Sequence, residues 1–232
     1  SRGKPIVNIL PLDEGERITS MLPVTEYTDD HFVFMATANG TVKKTALTNF
    51  ARQRSVGLRA IELDEGDELV GTAVTDGSKD VMVMSSSGKI TRFKESDVRA
   101  MGRTARGVRG IRMAPGFRMI SLIIAGEGTQ ILTVSENGYG KRTSVEDFPI
   151  YGRGGQGVIG MQTSDRNGAV VGAVQVEESD EIMLISDKGT LVRTRVDEIS
   201  VQGRNTQGVR LIRLKEGEKL VGVEQVDEPE ET

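Results

Sequence analysis

Phe32-Val33-Phe34-Met35-Ala36-Thr37-Ala38-Asn39-Gly40-Thr41-Val42-Lys43-Lys44-Thr45 is the stretch that decides the fold. A short apolar run of β-formers meets Asn-Gly, after which polar and apolar residues begin to alternate. Asn-Gly between two such runs signals a β-hairpin, because both central residues of a type I′ turn need positive φ. The turn returns as Ser87-Gly88, Asn137-Gly138 and Lys188-Gly189, with spacings of 48, 50 and 51 residues. A second glycine follows the same period at Gly57, Gly107, Gly157 and Gly208, usually before Val. A third landmark closes each unit at Leu69-Val70-Gly71, Met119-Ile120-Ser121, Val170-Val171-Gly172 and Leu220-Val221-Gly222. Three landmarks in constant phase over four units mark a propeller, solenoid or array.

Within a unit the reading continues strand by strand. After the hairpin comes a polar connector with an apolar residue ten positions past the turn glycine: Phe50, Val98, Phe148 and Ile199. A third strand is expected over residues 58–63, an acidic turn over 64–68 and a fourth strand over 69–74. No segment holds a 3.6-residue apolar period, so essentially no helix is expected. Four strands per unit make the blade of a β-propeller. Residues 1–27 read as the second half of a unit, with Ile6-Val7-Asn8-Ile9-Leu10, an acidic turn at Asp13-Glu14-Gly15-Glu16, and Ile18 to Val24. Such a half unit implies either a fragment or blades assembled by exchange of hairpins between neighbours, and the two are compatible. The expected organisation is one all-β domain over 1–226. It holds the half repeat 1–27, repeats at about 31–77, 78–126, 127–177 and 178–226, and an acidic tail at 227–232.

Composition narrows the function. The chain of 232 residues has no cysteine, which fits a reducing compartment and excludes a disulfide frame or Cys-based metal site. No apolar run of about 18 residues is present to span a bilayer. The net charge is −4, but it is unevenly placed. Residues 40–59, 88–110, 138–157 and 189–210 hold 19 Lys/Arg and 6 Asp/Glu, whereas the rest of the chain holds 11 and 28. Local field decides what docks, so one phase of the repeat is a basic zone.

Catalytic chemistry has little to stand on. His31 is the sole histidine and precedes a strand rather than sitting in a set of nucleophile, base and acid. The pairs Asp13/Glu14, Asp64/Glu65 and Asp67/Glu68 recur in one turn of successive units and read as solvated loops. Gly152, Gly154, Gly155 and Gly157 lack the Lys-Ser/Thr and the helix of a phosphate loop. No metal and no cofactor are expected.

The recurrent chemistry is cationic. Each turn glycine is followed by Lys43-Lys44, Arg92 and Lys94, Lys141-Arg142, or Arg193 and Arg195. Each second glycine is preceded by an Arg-bearing connector: Arg52 and Arg54, then Arg99, Arg103 and Arg106 with Arg109 just beyond, then Arg153, then Arg204. A single cluster is ordinary surface charge. On a radial array, one phase lands at one radius and height, so the clusters merge into a basic rim. Duplex DNA suits such a band, held through counterion release with little sequence content. Glycines beside the arginines let backbone N–H groups approach phosphates. Aromatic residues are only 4% and tryptophan is absent, too few for single-strand stacking platforms.

At these residues a resemblance enters. Val42-Lys43-Lys44-Thr45, residues 101–110, Gly138-Tyr139-Gly140-Lys141-Arg142-Thr143 and Leu191-Val192-Arg193-Thr194-Arg195 resemble the C-terminal domain of bacterial DNA gyrase A, and the likeness covers the whole chain. It implies a β-pinwheel, a propeller-like disc whose four-stranded blades exchange hairpins with neighbouring repeats. It also implies wrapping of duplex DNA on the rim of a type II topoisomerase to support negative supercoiling. The partners implied are the remainder of gyrase A and, in the holoenzyme, gyrase B, in the bacterial cytoplasm at the nucleoid. The catalytic tyrosine and ATP site would lie on other polypeptide regions. The family's Gln-Arg-Arg-Gly-Gly-Lys-Gly box is missing here, and Arg153-Gly154-Gly155-Gln156-Gly157 is a degenerate counterpart. The expectation is a fragment that binds DNA but is impaired in chiral wrapping. The related domain of topoisomerase IV and a protein-interaction propeller are the alternatives.

Overall fold

The computed structural model describes residues 8–14, 17–24, 30–50, 58–59, 61 and 63–226, the first two segments and 58–59 as backbone only. The chain is all-β. Its strands are β1 (Asn8–Glu14), β2 (Arg17–Val24), β3 (Phe32–Thr37), β4 (Thr41–Ala46), β5 (Leu58–Arg59), β6 (Leu69–Thr75), β7 (Asp80–Ser85), β8 (Lys89–Lys94) and β9 (Val108–Arg109). They continue as β10 (Met119–Ala125), β11 (Gln130–Ser135), β12 (Tyr139–Ser144), β13 (Val158–Ile159), β14 (Val170–Val176), β15 (Glu181–Ser186), β16 (Leu191–Arg195), β17 (Val209–Arg210) and β18 (Leu220–Val226). The helical elements among the described residues are four single 3-10 turns, one after each of β4, β8, β12 and β16.

The sheets show how the repeats interlock. Three four-stranded blades run β6-β3-β4-β9, β10-β7-β8-β13 and β14-β11-β12-β17, with three-stranded sheets β2-β1-β5 and β16-β15-β18 at the two ends. In each complete blade three strands come from one repeat and the fourth from the next. Thr41 pairs with Arg109, Ile90 with Val158 and Tyr139 with Arg210. This is the exchange that the resemblance implies. The donated strands are two residues long rather than the six expected over 58–63. They end there because the chain then turns inward, where Ile111 and Met161 are buried in the core.

The second glycine makes the exchange possible. Gly107, Gly157 and Gly208 all have positive φ. A Cβ on them would lie 2.5 Å from Val42 O, 2.4 Å from Ile90 O and 2.5 Å from Gly140 O. Only a residue without a side chain lets the incoming chain pass this close to the previous blade's outer strand.

The core lies between blades. Val33 and Met35 on β3 pack with Leu47 and Phe50, while Phe34 and Ala36 on its other face meet Val81 and Val83 of the next blade. The same alternation carries Met82 and Met84 to Ile131, and Leu132 and Val134 to Ile182 and Leu184. Central strands buried on both faces read as continuous apolar runs. The apolar residue ten past each turn glycine closes the packing, since Phe50, Val98, Phe148 and Ile199 are all buried.

Candidate nucleic-acid interface

Four of the cations that follow the turn glycines lie inside the fold and not on the rim. Lys43, Lys44, Lys141 and Arg142 are buried, with Lys43 and Lys141 at 0% exposure, so the expectation that they meet DNA phosphates is corrected. The reason is the exchange. A strand that looks like a blade edge in sequence is covered by the next repeat on one half and bridged by it on the other. Lys44 bridges in parallel to Ala100, Arg92 to Ile150 and Arg142 to Val201.

Once covered, these side chains fasten one repeat to the next. Lys44 Nζ donates to Glu95 O at 3.1 Å and lies 4.7 Å from the Phe32 ring centre. Arg92 Nη1 donates to Val145 O at 2.9 Å and Phe148 O at 3.2 Å, and its Nη2 holds Asp80 Oδ2 at 2.8 Å. Arg142 Nε donates to Ile199 O at 2.7 Å and its Nη1 to Gln130 Oε1 at 2.8 Å. Each clasp closes on the 3-10 turn of the following repeat. Arg193 has no such turn to reach among the described residues and pairs instead with Glu181 on its own sheet.

The lysine one position earlier holds a loop. Lys43 Nζ donates to Arg103 O at 2.6 Å. Lys141 Nζ donates to Gly203 O at 2.8 Å, Arg204 O at 2.6 Å, Thr206 O at 3.0 Å and Thr206 Oγ1 at 3.1 Å. Burial, aided by the charge of Arg103 or Arg204, pulls both ammonium groups from 10.5 to about 8. Burial also lowers Lys44, although the Glu95 carboxylate acts the other way.

The exposed cations lie in or beside the loops that this scaffold holds, with Lys94 at the end of β8 and Arg109 in β9. Lys94, Arg99, Arg106, Arg109 and Arg153 are exposed, and Arg103 and Arg204 are half-buried. Consecutive loops are tied together. Arg153 Nη1 donates to Arg109 O at 3.2 Å, and Arg204 Nη1 donates to Ile159 O at 3.0 Å. The N–H of Gly154 donates to Gly110 O at 2.8 Å, Arg112 N–H to Gly155 O at 2.8 Å and Gln162 N–H to Thr206 O at 2.9 Å. So β9, loop 151–157, β13, loop 202–208 and β17 form one hydrogen-bonded perimeter. Besides Arg92 and Arg193, two more expected contacts are locally neutralised: Arg106 pairs with Asp64 at 3.1 Å and Arg195 with Asp197 at 2.9 Å. Arg52 and Arg54 lie outside the described residues.

Exposed Arg112, Arg166 and Arg210 join this perimeter, although none is among the expected contacts and only Arg210 falls within a basic stretch. Arg210 had a findable signal, since it stands two residues past its repeat glycine as Arg109 does. Arg166 had none, because it occupies a turn that is acidic in the first repeat. No helix among the described residues is long and apolar enough to cross a membrane.

Comparison with known proteins places this geometry. Residues 1–25, 31–76, 79–124, 129–177 and 180–227 match the family described as DNA gyrase C-terminal domain, beta-propeller. The chain is 60% identical over 229 residues to DNA gyrase A of Salmonella typhimurium, covering 99% of this chain and 26% of that protein. It is 53% identical over 272 residues to DNA gyrase A of Pseudomonas aeruginosa, covering 99% of this chain and 30% of that protein. The chain thus spans less than a third of either relative. Among solved structures, the C-terminal domain of DNA gyrase A superposes with a TM-score of 0.78 at 28% identity, over 90% of this chain and 70% of that one. The C-terminal domain of DNA topoisomerase IV superposes with 0.85 at 26% identity, over 94% and 69%. With interlocked four-stranded blades and a match in every repeat, the chain belongs to the DNA gyrase C-terminal domain family, a beta-propeller fold.

Proposed function

We propose that this chain is a non-catalytic surface that binds duplex DNA and bends it around the rim. The continuous perimeter of Arg-bearing loops, tied backbone to backbone from β9 to β17, carries the reading. Bending a duplex over such a site costs several kcal/mol, which contacts spread along an arc can offset. Exposed Lys94, Arg99, Arg109, Arg153, Arg166 and Arg210 supply such a spread. In the holoenzyme, with the rest of gyrase A and with gyrase B, the bent segment would be presented for strand passage and support negative supercoiling. DNA cleavage and ATP hydrolysis belong elsewhere in that assembly, and no cofactor is needed here. The location that follows is the bacterial cytoplasm, at the nucleoid.

Binding to duplexes of increasing length across a salt series, with plasmid topology read on the same samples, tests this. Affinity should rise until the duplex spans several blades, and log affinity should fall with log salt by about 0.9 per phosphate contacted. A plasmid whose topology stays unchanged would separate binding from wrapping and place wrapping with the missing glycine-arginine box. If no duplex binds at low salt, the rim is a protein-interaction surface instead.

A further inference from the structure

At the tip of the third complete blade, two arginines converge on one phenol. Arg166 Nε donates to the Tyr139 hydroxyl oxygen at 3.2 Å, and Arg210 Nη2 donates to the same oxygen at 3.0 Å. Their guanidinium carbons lie 5.2 and 5.4 Å from the ring centre of Tyr139, which is only 4% exposed. The donor nitrogens therefore stand no more than about 6 Å apart, and like charges at that range repel.

Elsewhere the fold answers such charges with acids. Arg92, Arg106, Arg118, Arg193 and Arg195 each pair with a carboxylate. In the first complete blade the same corner is lined by Asp64 and Asp67 beside Arg106 and Arg109. In the third, the turn contributes a cation instead. Among the described residues no carboxylate lies within ion-pairing distance of Arg166 or Arg210, and the phenol proton of Tyr139 has no acceptor. The two arginine bonds pull the phenol below its ordinary pKa, the direction expected when a nearby oxyanion is welcome.

We infer that Tyr139, Arg166 and Arg210 form a phosphate-binding pincer that takes a backbone phosphodiester of the duplex. Two guanidinium forks match phosphate oxygens, and the unpaired phenol proton supplies a third donor. The DNA half of this inference rests on the function proposed above, whereas the anion half does not. Tyr139 fixes both cations over its ring, so the pincer is already formed before an anion arrives.

The test uses the full chain and arginine side-chain NMR, with inorganic phosphate and then a duplex as probes. Phosphate should shift the Nε–H signals of Arg166 and Arg210 together and to saturation, against chloride at equal ionic strength. Arg166→Gln should remove the response at Arg210, and Tyr139→Phe should shrink both while leaving the fold intact. The duplex should move the same signals. Because the pincer holds one phosphodiester, Arg166→Gln with Arg210→Gln should flatten the salt slope by about 0.9. If a duplex binds the chain without touching these signals, the site takes free phosphate only and the DNA assignment falls. If neither probe moves them, the pincer is overturned outright. A phosphate response in a chain that binds no duplex would sink the proposed function and leave the anion site standing.

Discussion

Replacing Lys141 with Met tests whether a buried ammonium holds the rim. The native group titrates at about 8 against 10.5 in the unfolded chain. Below pH 8 both states hold the proton, and the native state bears the full desolvation cost of about 3 kcal/mol. Between the two pKa values the native lysine is neutral while the unfolded one is charged. The unfolded state then binds more protons, so stability rises with pH at about 1 kcal/mol per unit near pH 9. Lys43 contributes a similar rise from its own shift. The wild-type chain should therefore gain about 2 kcal/mol from this pair between roughly pH 8.5 and 9.5, and Lys141→Met about half of that. At neutral pH the variant removes the desolvation cost but leaves three acceptors without the lysine donor, at about 1 kcal/mol or more each, while Thr206 O keeps the Gln162 N–H. The two nearly balance, with a net loss of about 1–2 kcal/mol. Urea unfolding followed by circular dichroism at the two pH values reads both numbers. Parallel pH dependences in wild type and variant would refute the reasoning, since Lys141 would then feel no native desolvation.

The same phase of the repeat offers a paired comparison. Arg142→Ala should cost about 2–4 kcal/mol in urea unfolding, because it removes buried charged hydrogen bonds to Ile199 O and Gln130. Arg193→Ala, which breaks an exposed pair with Glu181, should cost less than about 1 kcal/mol. Gly157→Ala should lose about 2 kcal/mol or more, its Cβ meeting Ile90 O at 2.4 Å with φ at +75°, whereas Gly155→Ala, with open space around it, should stay within about 0.5 kcal/mol. On duplex DNA, Arg109→Ala should weaken all sequences alike and flatten the salt slope by about 1, and a change in sequence preference would point to base reading instead. Asp64→Asn should strengthen binding in the same assay by removing a negative charge 3.1 Å from the Arg106 guanidinium.

The hairpins, their period and the all-β class are legible in the chain because each depends on local chemistry, Asn-Gly between β-formers above all. The turn itself is not type I′: among the described residues only glycines take positive φ, and Gly40 N–H closes it on Thr37 O. What sequence hides is the neighbour. Val42-Lys43-Lys44-Thr45 and Leu191-Val192-Arg193-Thr194-Arg195 occupy one phase of the repeat and look alike as alternating edge strands. The first is buried because residues some sixty positions later close over it, while Leu191 remains 62% exposed with no donated strand among the described residues. A lysine buried by a contact so distant is indistinguishable in sequence from a surface lysine. The glycine at 107, 157 and 208 is visible as a landmark, but the carbonyl it must approach belongs to another repeat. The Tyr139 corner draws on residues 27 and 71 positions away, which no local pattern joins.

The buried cations still bear on the rim, through the peptide planes they hold. In a trans peptide the C=O and the following N–H point in opposite directions. Lys141 draws the carbonyls of Gly203, Arg204 and Thr206 inward, so the N–H groups of Arg204, Asn205 and Gln207 face away from it. Among the described residues these three N–H groups have no acceptor. Successive outward amides form a concavity suited to anions, and here they sit beside the Arg204 side chain. Lys43, by holding Arg103 O, turns the N–H of Thr104 outward in the corresponding loop. In the second complete blade Thr91 stands where the lysine would be, its hydroxyl without a partner among the described residues. Loop 151–157 is held there by Arg153 reaching Asp97 O and Arg109 O instead. An arginine fixed in that task is less free to reach for a phosphate than Arg109 or Arg210. The repeats therefore divide the work of one motif. Where a lysine lies beneath the loop, backbone amides face outward and Arg204 ties a single carbonyl, that of Ile159. Where it does not, Arg153 takes two carbonyls and carries more of the scaffold.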